Sequence, residues 1–94
     1  MEYVIKSIKH SGRRGKRNTA RVDRMYPSQI GCVVDIDPTV LVKWDSCVID
    51  YVRDRDGTDL SGTSLWTSIV VDVQVGEDNL VIETSNTIYE MVRC

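Results

Sequence analysis

The residues Ser11 to Arg21 read Ser-Gly-Arg-Arg-Gly-Lys-Arg-Asn-Thr-Ala-Arg and hold the densest chemistry in the chain. Arg13, Arg14, Lys16, Arg17 and Arg21 put five cations within nine residues, which repel one another unless an anion offsets them. Guanidinium forks grip phosphate oxygens through paired hydrogen bonds, and glycine lets backbone N–H groups approach a ligand closely. Asn18 and Thr19 would finish such an anion site with directional hydrogen bonds. A solvated basic loop, or one pole of an attraction between subunits, accounts for the same residues more plainly.

A second polar cluster is Thr84-Ser85-Asn86-Thr87-Ile88-Tyr89. Read as a hairpin, Asn86 suits a tight turn with positive φ, Thr84 and Thr87 pair across it, and Tyr89 is a half-buried barrel aromatic. Read as a rim, Thr84, Asn86 and Tyr89 contact a ligand. Trp44, Trp66, Tyr26 and Tyr51 offer rings on which a base would stack. The chain has no Phe, so the same rings must also supply the bulk of the core.

Catalytic groupings are scarce, and no enzymatic activity is expected. His10 is the one histidine, there is no Gly-x-Ser-x-Gly elbow, and a Cys–His pair depends on that same residue. Gly12 to Arg17 has too few residues between its glycines for a P-loop and has Arg where Ser or Thr is required. Asp54 and Asp56 resemble the start of a calcium loop, but Gly57 is misplaced for one and no Glu closes it, so a hairpin turn is expected. Cys32, Cys47 and Cys94 include no close pair, which points to free thiols in a reducing compartment and away from a zinc knuckle. No cofactor or metal is expected.

Charge is polarised along the chain. Residues 1–25 carry eight basic groups against two acidic ones, and the remaining 69 carry four against twelve, so the segments stand at +6 and −8 within a net −2. One surface therefore has a strongly positive potential. An acidic remainder disfavours wrapping by a long polyanion, though not contact along one edge. Two opposite poles in so small a chain also favour a symmetric homo-oligomer.

The elements that must position these residues read as strands. Tyr3 to Lys9 alternates; His10 to Asn18 is a loop; Thr19 to Val22 is a short strand; Tyr26-Pro27-Ser28 is a turn. Ile30, Cys32, Val34 and Ile36 share one face, as do Val40, Val42 and Trp44, and then Cys47, Ile49 and Tyr51. Ile69, Val71, Val73 and Val75 form the inner face of a long strand, followed by turns at 76–79 and 85–86. With 94 residues, 41% hydrophobic, the chain makes a single domain over 1–94, an all-β antiparallel barrel of five to seven short strands. Ile5, Ile30, Val34, Val42, Ile49, Val71, Val73, Ile82 and Ile88 are its expected core. No apolar run is long enough to span a membrane, and the start lacks a signal peptide's shape, so a soluble, cytoplasmic protein is expected.

The basic loop ending Asn18-Thr19-Ala20-Arg21-Val22, the entry Ile30-Gly31-Cys32, and the pair Thr67-Ser68-Ile69-Val70 and Ile82-Glu83-Thr84-Ser85-Asn86-Thr87-Ile88-Tyr89 carry a resemblance. Together they resemble the small SH3-like β-barrel proteins of phages, prophages and their bacterial hosts. Residues 38–62 lie outside that likeness. The resemblance implies a phage-type accessory protein, acting in the host cytoplasm, from a class that includes inhibitors of host defence and proteins that sequester nucleotide immune signals. The expected function is non-enzymatic capture of a phosphate-bearing nucleotide by Arg13, Arg14, Lys16, Arg17, Asn18, Thr19, Arg21, Thr84, Asn86 and Tyr89. The alternatives are a nucleic-acid-binding SH3-like module and a protein inhibitor docked on a host defence factor.

Overall fold

The structure, a computed structural model, describes residues 1–12 and 15–94. Six strands, β1 (Glu2–His10), β2 (Val33–Asp35), β3 (Ser46–Arg53), β4 (Ser64–Val75), β5 (Asn79–Thr84) and β6 (Thr87–Arg93), follow one another in space in chain order. Every neighbouring pair is antiparallel, and β6 returns to β1 so that the sheet closes into a barrel. The helical content of the described residues is one four-residue turn, α1 (Tyr26–Gln29), and a 3-10 turn at Pro38–Val40. Closure leaves no free sheet edge, the usual route by which small β proteins avoid edge pairing. Among the described residues no helix is long and apolar enough to cross a membrane.

The core is the inward face of the barrel. Ile5, Val34, Ile49, Val70, Leu80 and Ile82 are fully buried, with Tyr3, Ile8, Tyr51, Tyr89 and Met91 packed among them. Of the expected core residues, Ile5, Val34, Ile49, Ile82 and Ile88 are buried, and Ile30 and Val73 are half-buried against the core. Val71 is half-buried as well.

Val42 is 61% exposed, a correction with a local cause. Residues 38–45 form no strand. Pro38 starts the 3-10 turn, the Asp37 carboxylate accepts hydrogen bonds from the Thr39 N–H at 2.9 Å and its hydroxyl at 2.6 Å, and Leu41 is the residue that reaches the core. Alternation in this stretch is thus not that of a pleated strand, and Val40, Val42 and Trp44 all face solvent.

Two register shifts also overturn the expected inner face of β4. The ladder slips between Ser46 and Val48 on the β3 side and between Val70 and Asp72 on the β5 side. Each irregularity advances the chain by one residue and flips the faces. Thr67 and Val70 therefore point inward, while Ile69 and Val75 are 48% and 59% exposed. The strand expected at Thr19 to Val22 is reduced to a single bridge, Lys9 to Ala20. The Asp54 to Thr58 turn forms as expected, with one Asp54 carboxylate oxygen accepting the N–H groups of Asp56 and Thr58 at 2.8 and 2.9 Å.

Candidate ligand cleft at the last hairpin

The β5–β6 turn is built around one hydroxyl. Thr84 Oγ1 accepts the N–H of Thr87 at 3.0 Å and that of Asn86 at 3.3 Å, and donates to the Thr87 carbonyl at 3.2 Å. The turn needs no positive φ at Asn86, whose side chain is free to act elsewhere. Asn86 Nδ2 donates to Ser68 Oγ at 2.7 Å, tying the hairpin to β4. The antiparallel pairing of Val70 with Thr84 sets the two strands side by side at that point.

The basic loop lies against the same hairpin. The Ser11 N–H donates to the Asn86 carbonyl at 3.2 Å, and a Cβ on Gly12 would sit 2.9 Å from the Ser85 carbonyl oxygen. Gly12 has φ +66, so both the close approach and the backbone angle favour glycine there. Glu83 anchors the loop, accepting from the Ser11 hydroxyl and from Arg17, whose Nη2 lies 2.9 Å from Oε1. The Arg17 hydrogen bonds, aided by the Ser11 hydroxyl, hold the Glu83 carboxyl below the usual carboxylate range.

Arg21 is the keystone. It is 7% exposed, and its guanidinium takes both oxygens of Asp23, Nε to Oδ1 at 3.1 Å and Nη2 to Oδ2 at 2.6 Å. Nη1 donates to Thr87 Oγ1 at 2.8 Å and to the Asn86 carbonyl at 3.3 Å, and the cation lies 4.1 Å from the centre of the Tyr26 ring. Hydrogen bonds from Arg21 pull the Asp23 carboxyl down to about 2, so it stays ionised. The same pairing raises Arg21 itself.

Between this arm and the hairpin opens a cleft of about 300 Å³, lined by Arg21, Arg24, Tyr26, Leu65, Trp66, Thr67, Ser68, Thr84, Asn86, Thr87 and Tyr89. That volume is at the lower end of the range usual for small-molecule sites, about 300–1,000 Å³. Tyr89 is almost wholly buried, and burial raises its phenol so far that it stays neutral. Trp66 is 74% exposed, leaving its ring open to a stacking partner. Arg24 is exposed, makes no ion pair among the described residues, and sits at φ 51. A left-handed backbone on a non-glycine residue costs about 1–2 kcal/mol.

The structure thus brings four of the expected site residues, Arg21, Thr84, Asn86 and Tyr89, to one cleft. Lys16, Arg17, Asn18 and Thr19 lie on the adjoining loop and do not line it. Arg17 is engaged by Glu83, Thr19 Oγ1 donates to the Lys16 carbonyl at 2.5 Å, and Asn18 at φ 67 turns the chain, with its N–H on the His10 carbonyl. Arg13 and Arg14 lie outside the described residues. Of the four stacking candidates, Tyr26 and Trp66 reach the cleft. Tyr51 belongs to the core, its phenol pushed up to about 12 by burial, and Trp44 is exposed elsewhere.

Arg24, Thr67 and Ser68 were not expected in the site. Their signal in the sequence was slight: Arg24 precedes the Tyr26-Pro27 turn, and Thr67 and Ser68 stand where β4 slips register. Comparison with protein-family models, with curated proteins and with solved structures finds no match to this chain.

Proposed function

We propose that this protein is a non-enzymatic binding protein that captures a phosphate-bearing nucleotide in the hairpin cleft and holds it unaltered. The observation that carries the reading is the cleft's composition. An arginine without an ion pair among the described residues, Arg24, shares one cleft with an open aromatic ring, Trp66, and a fixed polar pair, Ser68 and Asn86. Those are the three needs of a nucleotide: a cation for phosphate, a ring face for the base and directional groups for sugar or base edges.

Arg21 acts differently from Arg24. Four of its N–H groups are spent on Asp23, Thr87 and Asn86. It orders the Asn86 carbonyl and the Thr87 hydroxyl, and one remaining Nη2 hydrogen serves a ligand oxygen. Arg24 is the main phosphate contact, worth about 1.5–3 kcal/mol where partly desolvated. Fixed polar groups of this kind lower the ordering cost of binding. The resemblance to phage-type SH3-like barrels extends the proposal to sequestration of a nucleotide immune signal in a host cytoplasm, an anti-defence role. Retention without turnover follows from the chemistry of the lining, which offers arginine, hydroxyl, amide and neutral phenol groups.

Thermal shift against a panel of mononucleotides, cyclic nucleotides and oligonucleotides tests this, alongside native mass spectrometry of the purified protein. A mononucleotide or cyclic nucleotide should raise the melting point and be recovered chemically intact after heating. Oligonucleotide binding with steep salt dependence and no response to small nucleotides would replace the proposal with the nucleic-acid module. No shift with any nucleotide, together with stoichiometric recovery of one host protein, would replace it with the inhibitor.

A further inference from the structure

The ligand cleft has two neighbours of opposite character. Beyond the Val48–Trp66 pair of β3 and β4 lies a groove of about 440 Å³, lined by residues between Asp35 and Asp50. Its wall is aliphatic and uncovered, with Val40 and Val42 exposed, and its rim is acidic. Asp35 is offset by the N-terminal amine at 2.8 Å, whereas Asp37, Asp45 and Asp50 bond neutral N–H and hydroxyl groups of Thr39, Ser46 and Ser64. Carboxylates without an ion pair among the described residues repel a phosphate, so a nucleotide in the cleft does not extend that way.

The other neighbour is a hollow of about 220 Å³ lined by Arg24, Met25, Tyr26, Gln29 and Leu65. Arg24, Tyr26 and Leu65 line the ligand cleft as well, so the two are contiguous. Its size is below the range usual for a whole small-molecule site, about 300–1,000 Å³, and suits an extension of the cleft it adjoins. Among the described residues no carboxylate lines either hollow. Met25 is exposed, Tyr26 and Leu65 are half-buried, and Gln29 Oε1 is buried with no hydrogen-bond partner. An acceptor left unpaired costs free energy that a donor on an incoming group recovers.

Arg24 stands where the two hollows meet. The charge of Arg21 is offset by Asp23, so one uncompensated cation faces the junction. One cation fits a phosphodiester, with its single negative charge, better than a di- or triphosphate chain. A phosphodiester carries a nucleoside on each side, one for each hollow. We propose that the ligand is two nucleoside units joined by one phosphodiester, held at Arg24, with one base on Trp66 and the other against Met25 and Leu65 beside the Gln29 amide. The inference rests on the nucleotide reading of the cleft and goes beyond it in fixing the ligand's length, its linkage and the direction it runs.

Calorimetric titration of the intact chain with AMP, ATP, the linear adenine dinucleotide and longer oligoadenylates tests it. The dinucleotide should bind about tenfold or more tighter than AMP, the scale of one added base contact, and affinity should level off beyond two units. In the double variant Met25→Ala/Gln29→Ala the dinucleotide should fall to within about twofold of AMP. AMP should keep its wild-type affinity, because neither residue lines the first cleft, and that retained binding verifies the fold. Gln29→Leu, which keeps the side chain's bulk and removes its amide, should weaken the dinucleotide alone. Equal affinity for AMP and the dinucleotide, tighter binding of ATP, or variants that keep the wild-type preference would overturn the extension and leave the nucleotide cleft standing. Affinity that climbs with every added unit would overturn it in favour of a nucleic-acid strand. If no probe binds at up to about 1 mM, the nucleotide reading of the cleft falls and the extension with it.

Discussion

The hairpin cleft and the Asp-rimmed groove are both open hollows on one small barrel, yet they are built in opposite ways. In the cleft several polar side chains are already bonded: Arg21 to Asp23 and Thr87, Asn86 to Ser68, Thr84 to its own turn. In the groove the uncovered surface is aliphatic, and the polar groups form a rim of fixed negative charge. A pre-ordered polar lining suits a small ligand that needs particular hydrogen bonds, while an uncovered apolar strip suits a protein surface. Two hollows of similar size thus imply different occupants.

The largest effect should erase both at once. Ile82→Asp places an unpaired charge in a fully buried position, at a cost of several kcal/mol, on the order of the whole stability of so small a domain. Ligand binding should not survive it, and circular dichroism should show loss of the folded state. Val73→Asp should cost less, since Val73 is half-buried and its charge can reach water.

Next in size is Arg21→Ala. It removes the cation that bonds the buried Thr87 hydroxyl and orders the Asn86 carbonyl. Stability should fall by about 1–3 kcal/mol, and the cleft should lose its shape. Denaturant melts read the first effect and nucleotide titration the second.

Arg24→Gly sharpens the contrast, because its two effects have opposite signs. Removing the side chain from a left-handed backbone should raise stability by about 1 kcal/mol. Loss of the phosphate contact should lower nucleotide affinity about tenfold or more. If Arg24 were only a turn residue, stability would rise with affinity unchanged. Val40→Ser, by contrast, should stay within about 0.5 kcal/mol of wild type in stability and leave nucleotide binding intact.

The smallest effect is the response to acid. Asp23 is held at about 2 in the folded chain by Arg21, below its ordinary value of 3.8, so its contribution is complete above the ordinary value. That contribution is lost as pH falls through the folded value. The melting-point gap between wild type and Asp23→Asn should therefore be flat from neutrality down to about pH 4 and narrow below it. A gap that closed near neutrality would show that the Arg21–Asp23 pair does not hold the arm.

Much of this molecule was legible where local pattern and tertiary pairing agree. β5 and β6 alternate cleanly, and Leu80, Ile82, Tyr89 and Met91 fall inward as the period requires. The stretch from Pro38 to Asp45 alternates just as well, but Pro38 and the Asp37 cap fold it into a 3-10 turn and leave Val42 outside. β4 misled for another reason. Its hydrophobic run continues through Val70 and Val71, so the bulge that flips the faces leaves no trace in residue type.

The site was legible in its hydrogen-bonding residues and obscure in its cations. Thr84, Asn86, Tyr89 and Arg21 were visible as polar groups at a hairpin and a loop end. Arg24 was hidden because a left-handed backbone before a proline turn cannot be read from the residue itself. Arg17 looked equally suited to a phosphate, but Glu83, distant in sequence, pairs with it.

The central claim, that a nucleotide base stacks on Trp66 in the hairpin cleft, has a direct optical test, because the chain has two tryptophans and only Trp66 lines the cleft. Trp44→Phe leaves Trp66 as the sole reporter, and Trp66→Phe leaves Trp44. Titration with the nucleotide that gives the largest thermal shift should quench emission saturably in the Trp44→Phe protein and leave the Trp66→Phe protein unchanged. Quenching confined to the Trp66→Phe protein, or none in either up to about 1 mM, the limit of a weak specific site, would contradict the account.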